Sequence, residues 1–276
     1  MIVFQTVSEL KGGLDRARFK GMKINFVPTM GALHKGHVSL IAAAKKEGGC
    51  VVSSIFVNPV QFNDRSDLER YPRPLEKDKE ILEKAGCDIL FTPSEKEIYP
   101  EPDNRKFDFG ALDKVMEGKH RPGHFNGVAV VVSRLFDIVK PDNAFFGQKD
   151  FQQVAIIKNM VKMLKLSVNI VMCPTMREAD GLAMSSRNIF LSPEERKAAA
   201  LISKTLFGMR ERKDKMSIQE LVSWAISQFK TEPLLQPEYV EIADANTLIS
   251  AKNISNTVVC IAVKTGKVRL IDNMLF

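Results

Sequence analysis

The first two-thirds of the chain alternates short apolar runs with longer stretches whose apolar positions return at helical spacing. Strands are expected at Ile24 to Val27, Val51 to Val57, Ile89 to Phe91, Ala144 to Phe146 and Val168 to Met172. Helices are expected over Val38 to Lys46, Leu75 to Ala85, about Gly127 to Val139, and Phe151 to Leu164. Near-continuous apolar strands separated by helices imply crossover connections and a largely parallel sheet covered on both faces. Five such strands make a doubly wound, Rossmann-like α/β core.

Beyond Asn188 the texture changes. Ser192-Pro193-Glu194-Glu195 reads as a helix start: serine as N-cap, proline at the first helical position, and acids facing the positive end of the dipole. A second helix is expected near Ser217 to Phe229, where Ser217 and Glu220 have capping-box spacing. Strand-like runs follow at Tyr239 to Ala243 and Thr257 to Val263, with a hairpin turn at Lys264-Thr265-Gly266-Lys267 before Val268 to Ile271. The pattern therefore predicts two domains, a Rossmann-like part over residues 1–176 and a smaller C-terminal α+β part over 177–276.

Composition narrows the field. With 276 residues and 45% hydrophobic content the chain fills a core, which excludes a disordered class. No run approaches the roughly 20 apolar residues of a bilayer span, and Met1-Ile2-Val3-Phe4-Gln5 turns polar too soon for a secretory leader, so a cytoplasmic location without membrane partners is expected. Cys50, Cys87, Cys173 and Cys260 are far apart and read as reduced core thiols. The net charge of +7 suits anionic partners. The basic residues are scattered, however, and the aromatics are mostly Phe in apolar runs, a poor pattern for binding nucleic acid.

The most informative segment is Phe26-Val27-Pro28-Thr29-Met30-Gly31-Ala32-Leu33-His34-Lys35-Gly36-His37. It runs from a buried strand through a small-residue turn into a helix start, a place expected to offer unpaired backbone N–H groups and a positive dipole end to a phosphate. His34 and His37 share the first-turn face, and Gly36 keeps the approach clear. A lone histidine there is more often a cap; two imidazoles with the glycine can bind phosphates and the charge that develops on a departing pyrophosphate.

Three further segments carry polar groups to strand ends or loops. Ser54 to Phe62 offers Asn58 and Gln61, neutral amides that fix a hydroxy acid without competing for its charge, although Asn58-Pro59 is also an ordinary turn. In Phe145 to Gln153, Gly147 admits a close backbone approach, Lys149 suits phosphate, Asp150 suits ribose or metal, and Gln153 faces the sheet edge. Arg177 to Asn188 reads as a mobile polar loop delivering Ser185, Ser186 and Arg187 to a triphosphate. The histidines also pair at His120 and His124, but nothing supplies a carboxylate in the manner of a zinc hydrolase, and Lys119 to Arg121 reads as an anion-facing loop.

Taken in order, Pro28 to His37, Ser54 to Phe62, Tyr71-Pro72-Arg73, Arg121 to Val130, Phe146 to Gln153 and Arg177 to Asn188 resemble the pantothenate synthetase family along nearly the whole chain. His-x-Gly-His alone resembles only the signature of the wider nucleotidylyltransferase superfamily. The resemblance implies that pantoate attacks the α-phosphorus of ATP, giving pantoyl adenylate and pyrophosphate, and that β-alanine then displaces AMP. It implies ATP contacts from Met30, Gly31, Ala32, Leu33, His34, Lys35, Gly36 and His37, from Gly147, Gln148, Lys149 and Asp150, and from Met176, Met184, Ser185, Ser186 and Arg187. Catalytic roles fall to His37, His34, Lys149, Ser185, Ser186 and Arg187; Gln61, Gln153 and Asn58 would hold pantoate, with Gln61 reaching β-alanine. Mg2+ is expected with the triphosphate, and Asp78 matches the family's metal-side acid. Lys77 and Gln148 depart from that pattern, standing where family members often carry acids. The resemblance further implies a C-terminal lid and a homodimer.

Overall fold

The computed structural model describes residues 1–62 and 65–276. In chain order the elements are β1 (Ile2–Phe4), α1 (Val7–Phe19), β2 (Ile24–Thr29), α2 (Lys35–Lys46), β3 (Cys50–Ile55), α3 (Arg65–Arg70), α4 (Leu75–Lys84), β4 (Ile89–Phe91), α5 (Glu95–Ile98) and α6 (Met116–His120). There follow α7 (His124–Val139), β5 (Asn143–Gly147), α8 (Phe151–Met163), β6 (Asn169–Cys173), α9 (Pro193–Arg212), α10 (Ile218–Phe229), β7 (Gln236–Asp244), β8 (Thr257–Thr265) and β9 (Val268–Leu275).

The first six strands form one parallel sheet in the order β1-β4-β3-β2-β5-β6. It has one strand more than the pattern predicts. β1 is only three residues long, lies at the sheet edge and exposes Ile2 and Val3, so it carries no continuous apolar signal. From β2 the chain winds one way through β3 and β4, then crosses back to add β5 and β6 on the other side. The carboxyl ends of β2 and β5 therefore flank the point where the winding reverses, where open α/β sheets bind ligands.

Alternation along β2 shows how both faces are covered. Val27 packs with Leu40, Ile41 and Ala44 of α2 and Leu82 of α4, whereas the next residue toward the amino end, Phe26, meets Phe136 of α7 edge-on at 6.4 Å. All four cysteines are buried and free. Among the described residues no helix is long and apolar enough to cross a membrane.

The last three strands form an antiparallel sheet, β7-β8-β9, with β8 central and buried over most of its length. Leu206 and Met209 of α9 and Leu221, Ala225 and Phe229 of α10 pack with Val259, Ile261 and Val263 of that strand. Both helices open as expected, α9 on the Ser192 N-cap and α10 on the Ser217–Glu220 capping box, and the structure adds a second box between Ser192 and Glu195.

By its contacts the chain divides into two units. The first holds Met1–Phe109, Arg121–Gly147 and Gln153–Pro174; the second holds Gly110–His120, Gln148–Gln152 and Thr175–Phe276. A boundary at residue 176 places Gly110–His120, Gln148–Gln152 and residues 175–176 differently, and polar bonds distant in sequence explain the first two. Glu117 pairs with Arg269 and accepts from the Tyr239 hydroxyl, the Gln152 amide donates to the carbonyls of Leu112 and Val115, and Asn273 Nδ2 donates to the carbonyls of Gln148 and Lys149.

Candidate active site

In the first unit, the loop between β2 and α2 is built on two left-handed residues. Gly31 has φ +81°, and a Cβ there would lie 2.9 Å from Asp78 Oδ2 and 3.1 Å from Ile55 Cγ2. Ala32 follows at φ +51°, a conformation that a side-chain-bearing residue keeps only when its surroundings hold it. The holder is Asp78 on α4: its Oδ2 accepts from Ala32 N–H and its Oδ1 from Leu33 N–H, both at 2.8 Å. Thr29 Oγ1 accepts from Gly31 N–H at 3.2 Å and donates to the Ser54 carbonyl at 2.8 Å. Burial raises the Asp78 carboxyl above its ordinary value, and the two N–H groups and Lys77 draw it back only in part.

The next turn is closed by the histidines themselves. His34 is the N-cap of α2 and its Nδ1 accepts from Gly36 N–H at 3.1 Å, while His37 Nδ1 accepts from His34 N–H at 3.3 Å. The rings lie 4.2 Å apart, centroid to centroid. A ring nitrogen that accepts an N–H carries no proton, so both imidazoles are Nε2–H tautomers and present that N–H as a donor.

The expectation of unpaired backbone N–H groups is corrected at seven positions of this loop. Those of Gly31, Ala32, Leu33, His34 and Gly36 go to side chains, and those of His37 and Val38 to the His34 carbonyl. What this loop can offer an anion is therefore chiefly its imidazoles and the helix dipole rather than an open backbone nest.

Asn58 and Gln61 sit beyond the end of β3, in a single helical turn over Pro59–Gln61 that Asn58 caps. Asn58 is 1% exposed: its Nδ2 donates to Gln61 Oε1 at 3.3 Å and to the Gly127 carbonyl at 3.2 Å, and its Oδ1 accepts from the Tyr99 hydroxyl at 2.9 Å. With its amide spent in this way, Asn58 orients Gln61. The close approach of α7 requires Gly127, where a Cβ would meet the Val60 carbonyl oxygen at 2.7 Å. Gln61 Nε2 donates to Met30 Sδ at 3.0 Å, which links this turn to the β2–α2 loop.

His124 and Tyr99 are the supports that reading the sequence missed. His124 Nδ1 lies 2.8 Å from the Gln61 carbonyl oxygen, and its Nε2 lies 3.1 Å from Arg121 Nη1. A guanidinium can only donate, so Nε2 accepts and Nδ1–H donates to Gln61. Arg121 and His124 therefore brace the Gln61 turn from the start of α7. The histidine doublet was visible in the sequence, but its partner 63 residues away was not. Gly147 ends β5, and Gln153 is half-buried near the start of α8.

In the second unit, Gln148, Lys149 and Asp150 form one 3-10 turn, with Lys149 Nζ 3.5 Å from Asp150 Oδ1. Asn273 binds the carbonyls of Gln148 and Lys149 at 2.8 and 2.7 Å, and its neighbour Asp272, buried, takes a two-pronged ion pair from Arg177. The segment expected as a mobile loop is a bonded hairpin: Met184 N–H donates to the Met176 carbonyl at 2.9 Å and Glu178 N–H to Leu182 at 2.8 Å. Ser185 then caps a 3-10 turn over Ser186–Phe190, its Oγ accepting from Arg187 N–H at 3.2 Å. Ser185, Ser186 and Arg187 are thus carried on a folded turn.

Among the described residues no three His, Cys, Asp or Glu side chains converge as a metal cage. Asp78, the acid that the resemblance sets beside Mg2+, is 1% exposed and has a backbone donor on each oxygen. That donor set does not fit an ion that keeps several waters in its octahedral shell.

Comparison with known proteins bears on this arrangement. The family model for pantoate-beta-alanine ligase matches residues 2–275. A pantothenate synthetase of Porphyromonas gingivalis is 51% identical, covering 100% of this chain and 99% of that protein, and one of Bacteroides fragilis is 48% identical with the same coverage. The crystal structure of pantothenate synthetase from Thermus thermophilus is similar with a TM-score of 0.94 at 41% identity, covering 99% of each chain. The pantoate-beta-alanine ligase of Francisella tularensis, solved with beta-gamma ATP and beta-alanine, is similar with a TM-score of 0.82 at 38% identity, covering 100% of this chain and 97% of the other.

Proposed function

This chain belongs to the pantoate–β-alanine ligase family, and from that premise we propose that it joins pantoate to β-alanine using ATP, through pantoyl adenylate. In the first step a pantoate carboxylate oxygen attacks the α-phosphorus; that bond forms as the bond to the bridging oxygen of pyrophosphate breaks. In the second, the β-alanine amine attacks the acyl carbon, loses a proton, and expels AMP with the oxygen that came from pantoate.

The observation that carries this reading is the pair of Nε2–H donors that His34 and His37 hold at the carboxyl end of β2. Negative charge accumulates on the departing pyrophosphate, and donors fixed in advance stabilise it without reorganising. Lys149, Ser185, Ser186 and Arg187 supply further phosphate donors. Gly147, Gln148 and Asp150 contact adenosine, with Met176 and Met184 beside the nucleotide. The Met30 to His37 loop, Lys35 and Gly36 included, holds the triphosphate chiefly through its imidazoles. Gln61 and Gln153 bind pantoate as neutral amides, where a phosphate acceptor would call for Arg or Lys. Magnesium accompanies the triphosphate and lowers the charge on its oxygens. A cytoplasmic homodimer belongs to the same reading.

Pantoate labelled with 18O in its carboxylate tests the route. One label should appear in AMP for each pantothenate formed. Label in inorganic phosphate with ADP as co-product would instead establish an acyl phosphate and remove the adenylate from the account.

A further inference from the structure

Asp78 lies in a position that a metal-side acid would not need. Its side chain projects from α4 beneath the β2–α2 loop, with Lys77 as its neighbour in the chain. Its two oxygens each receive one N–H at 2.8 Å, from consecutive residues of that loop. The first of those residues, Ala32, stands at φ +51°, and the second, Leu33, directly precedes the His34 cap.

We propose that Asp78 is a positioning residue for phosphate binding, a buried carboxylate that locks Ala32 and Leu33 so that His34 and His37 keep their reciprocal cap, and that it is not a magnesium ligand. The inference rests on the phosphate role proposed above for the two histidines. Two features of the loop support it. Gly31 has no room for a Cβ because Asp78 Oδ2 fills that space, so the loop is fitted around the carboxylate. An αL alanine needs an external hold, and a charge-assisted hydrogen bond to its amide provides one. Since Leu33 is adjacent to the N-cap, release of the loop shifts the His34 backbone N–H that fixes the His37 tautomer.

The test is Asp78→Asn, which keeps the shape but turns an NH2 toward one of the two N–H donors. The Ala32 and Leu33 amides, followed by hydrogen exchange, should then exchange on the order of 10- to 100-fold faster. The kcat for pantoate-dependent pyrophosphate release should fall, while the Mg2+ concentration for half-maximal activity stays within about twofold. A Mg2+ requirement raised about tenfold or more, with both amides still protected, would overturn the proposal in favour of metal ligation. If the variant does not fold, the wild-type chain decides in EDTA without nucleotide: protected Ala32 and Leu33 amides support the lock, and open-loop exchange rules it out. Because exchange is read without turnover, failure of the ligase reading and failure of this one are separable.

Discussion

Glu117 and Arg269, 152 residues apart in the chain, meet in a two-pronged ion pair with both nitrogen–oxygen distances at 2.6 Å. Tyr239 donates to the same carboxylate at 2.8 Å, and Arg269 also donates to Glu238 at 2.6 Å. This cluster ties Gly110–His120 into the C-terminal unit. Removing the cation breaks a buried ion pair and leaves its carboxylate without the opposite charge, so Arg269→Met should destabilise the protein by about 3 kcal/mol in urea unfolding. A change within experimental error would show that the segment is held by packing alone.

His37→Ala should leave the fold intact at the loss of one cap hydrogen bond, about 1 kcal/mol. Pyrophosphate release should drop on the order of 10²- to 10³-fold, the usual effect of deleting one preorganised donor to a developing anion. Steady-state rates beside a thermal melt check both parts, and full activity in a folded variant would remove His37 from the adenylation step.

Acid stability follows from Asp103, whose carboxylate is almost fully buried between Arg105 and Arg134 at 2.7 and 2.6 Å. The hydrogen bond from Arg105, above all, holds this carboxyl well below the usual carboxylate range, against its burial. A depressed folded value means that the stabilisation is fully present above the unfolded value, near about pH 4, and is lost as pH falls toward the folded one. Asp103→Asn should therefore be less stable at pH 7 and show a shallower loss of stability below about pH 4. Parallel acid limbs in urea titrations of the two proteins would contradict this.

Legibility tracked the range of the signal. Strands β2 to β6, helices α2, α4, α7 and α8, the N-cap at Ser192 and the capping box at Ser217 follow from periodicity and local spacing, and the structure places them within a few residues of expectation, whereas the short helices α3, α5 and α6 carry no such period. β1 escaped because three residues at a sheet edge carry no period. At the site, His34 and His37 were readable as a pair because they are three apart on one turn. Asp78 reaches its loop across 45 and 46 residues and Tyr99 reaches Asn58 across 41, so neither partner has a local pattern that announces it. The same reason explains the unmet expectation of open N–H groups: the donors are evident in the sequence, but their acceptors arrive by folding.

The most direct measurement is pyrophosphate release from ATP, magnesium and pantoate, first without β-alanine and then with it, while AMP and pantothenate are followed in parallel. Release at about one equivalent per enzyme, then turnover to AMP and pantothenate once β-alanine is added, is the expected result for adenylation preceding amide formation. No pantoate-dependent release from folded, ATP-binding protein would contradict it.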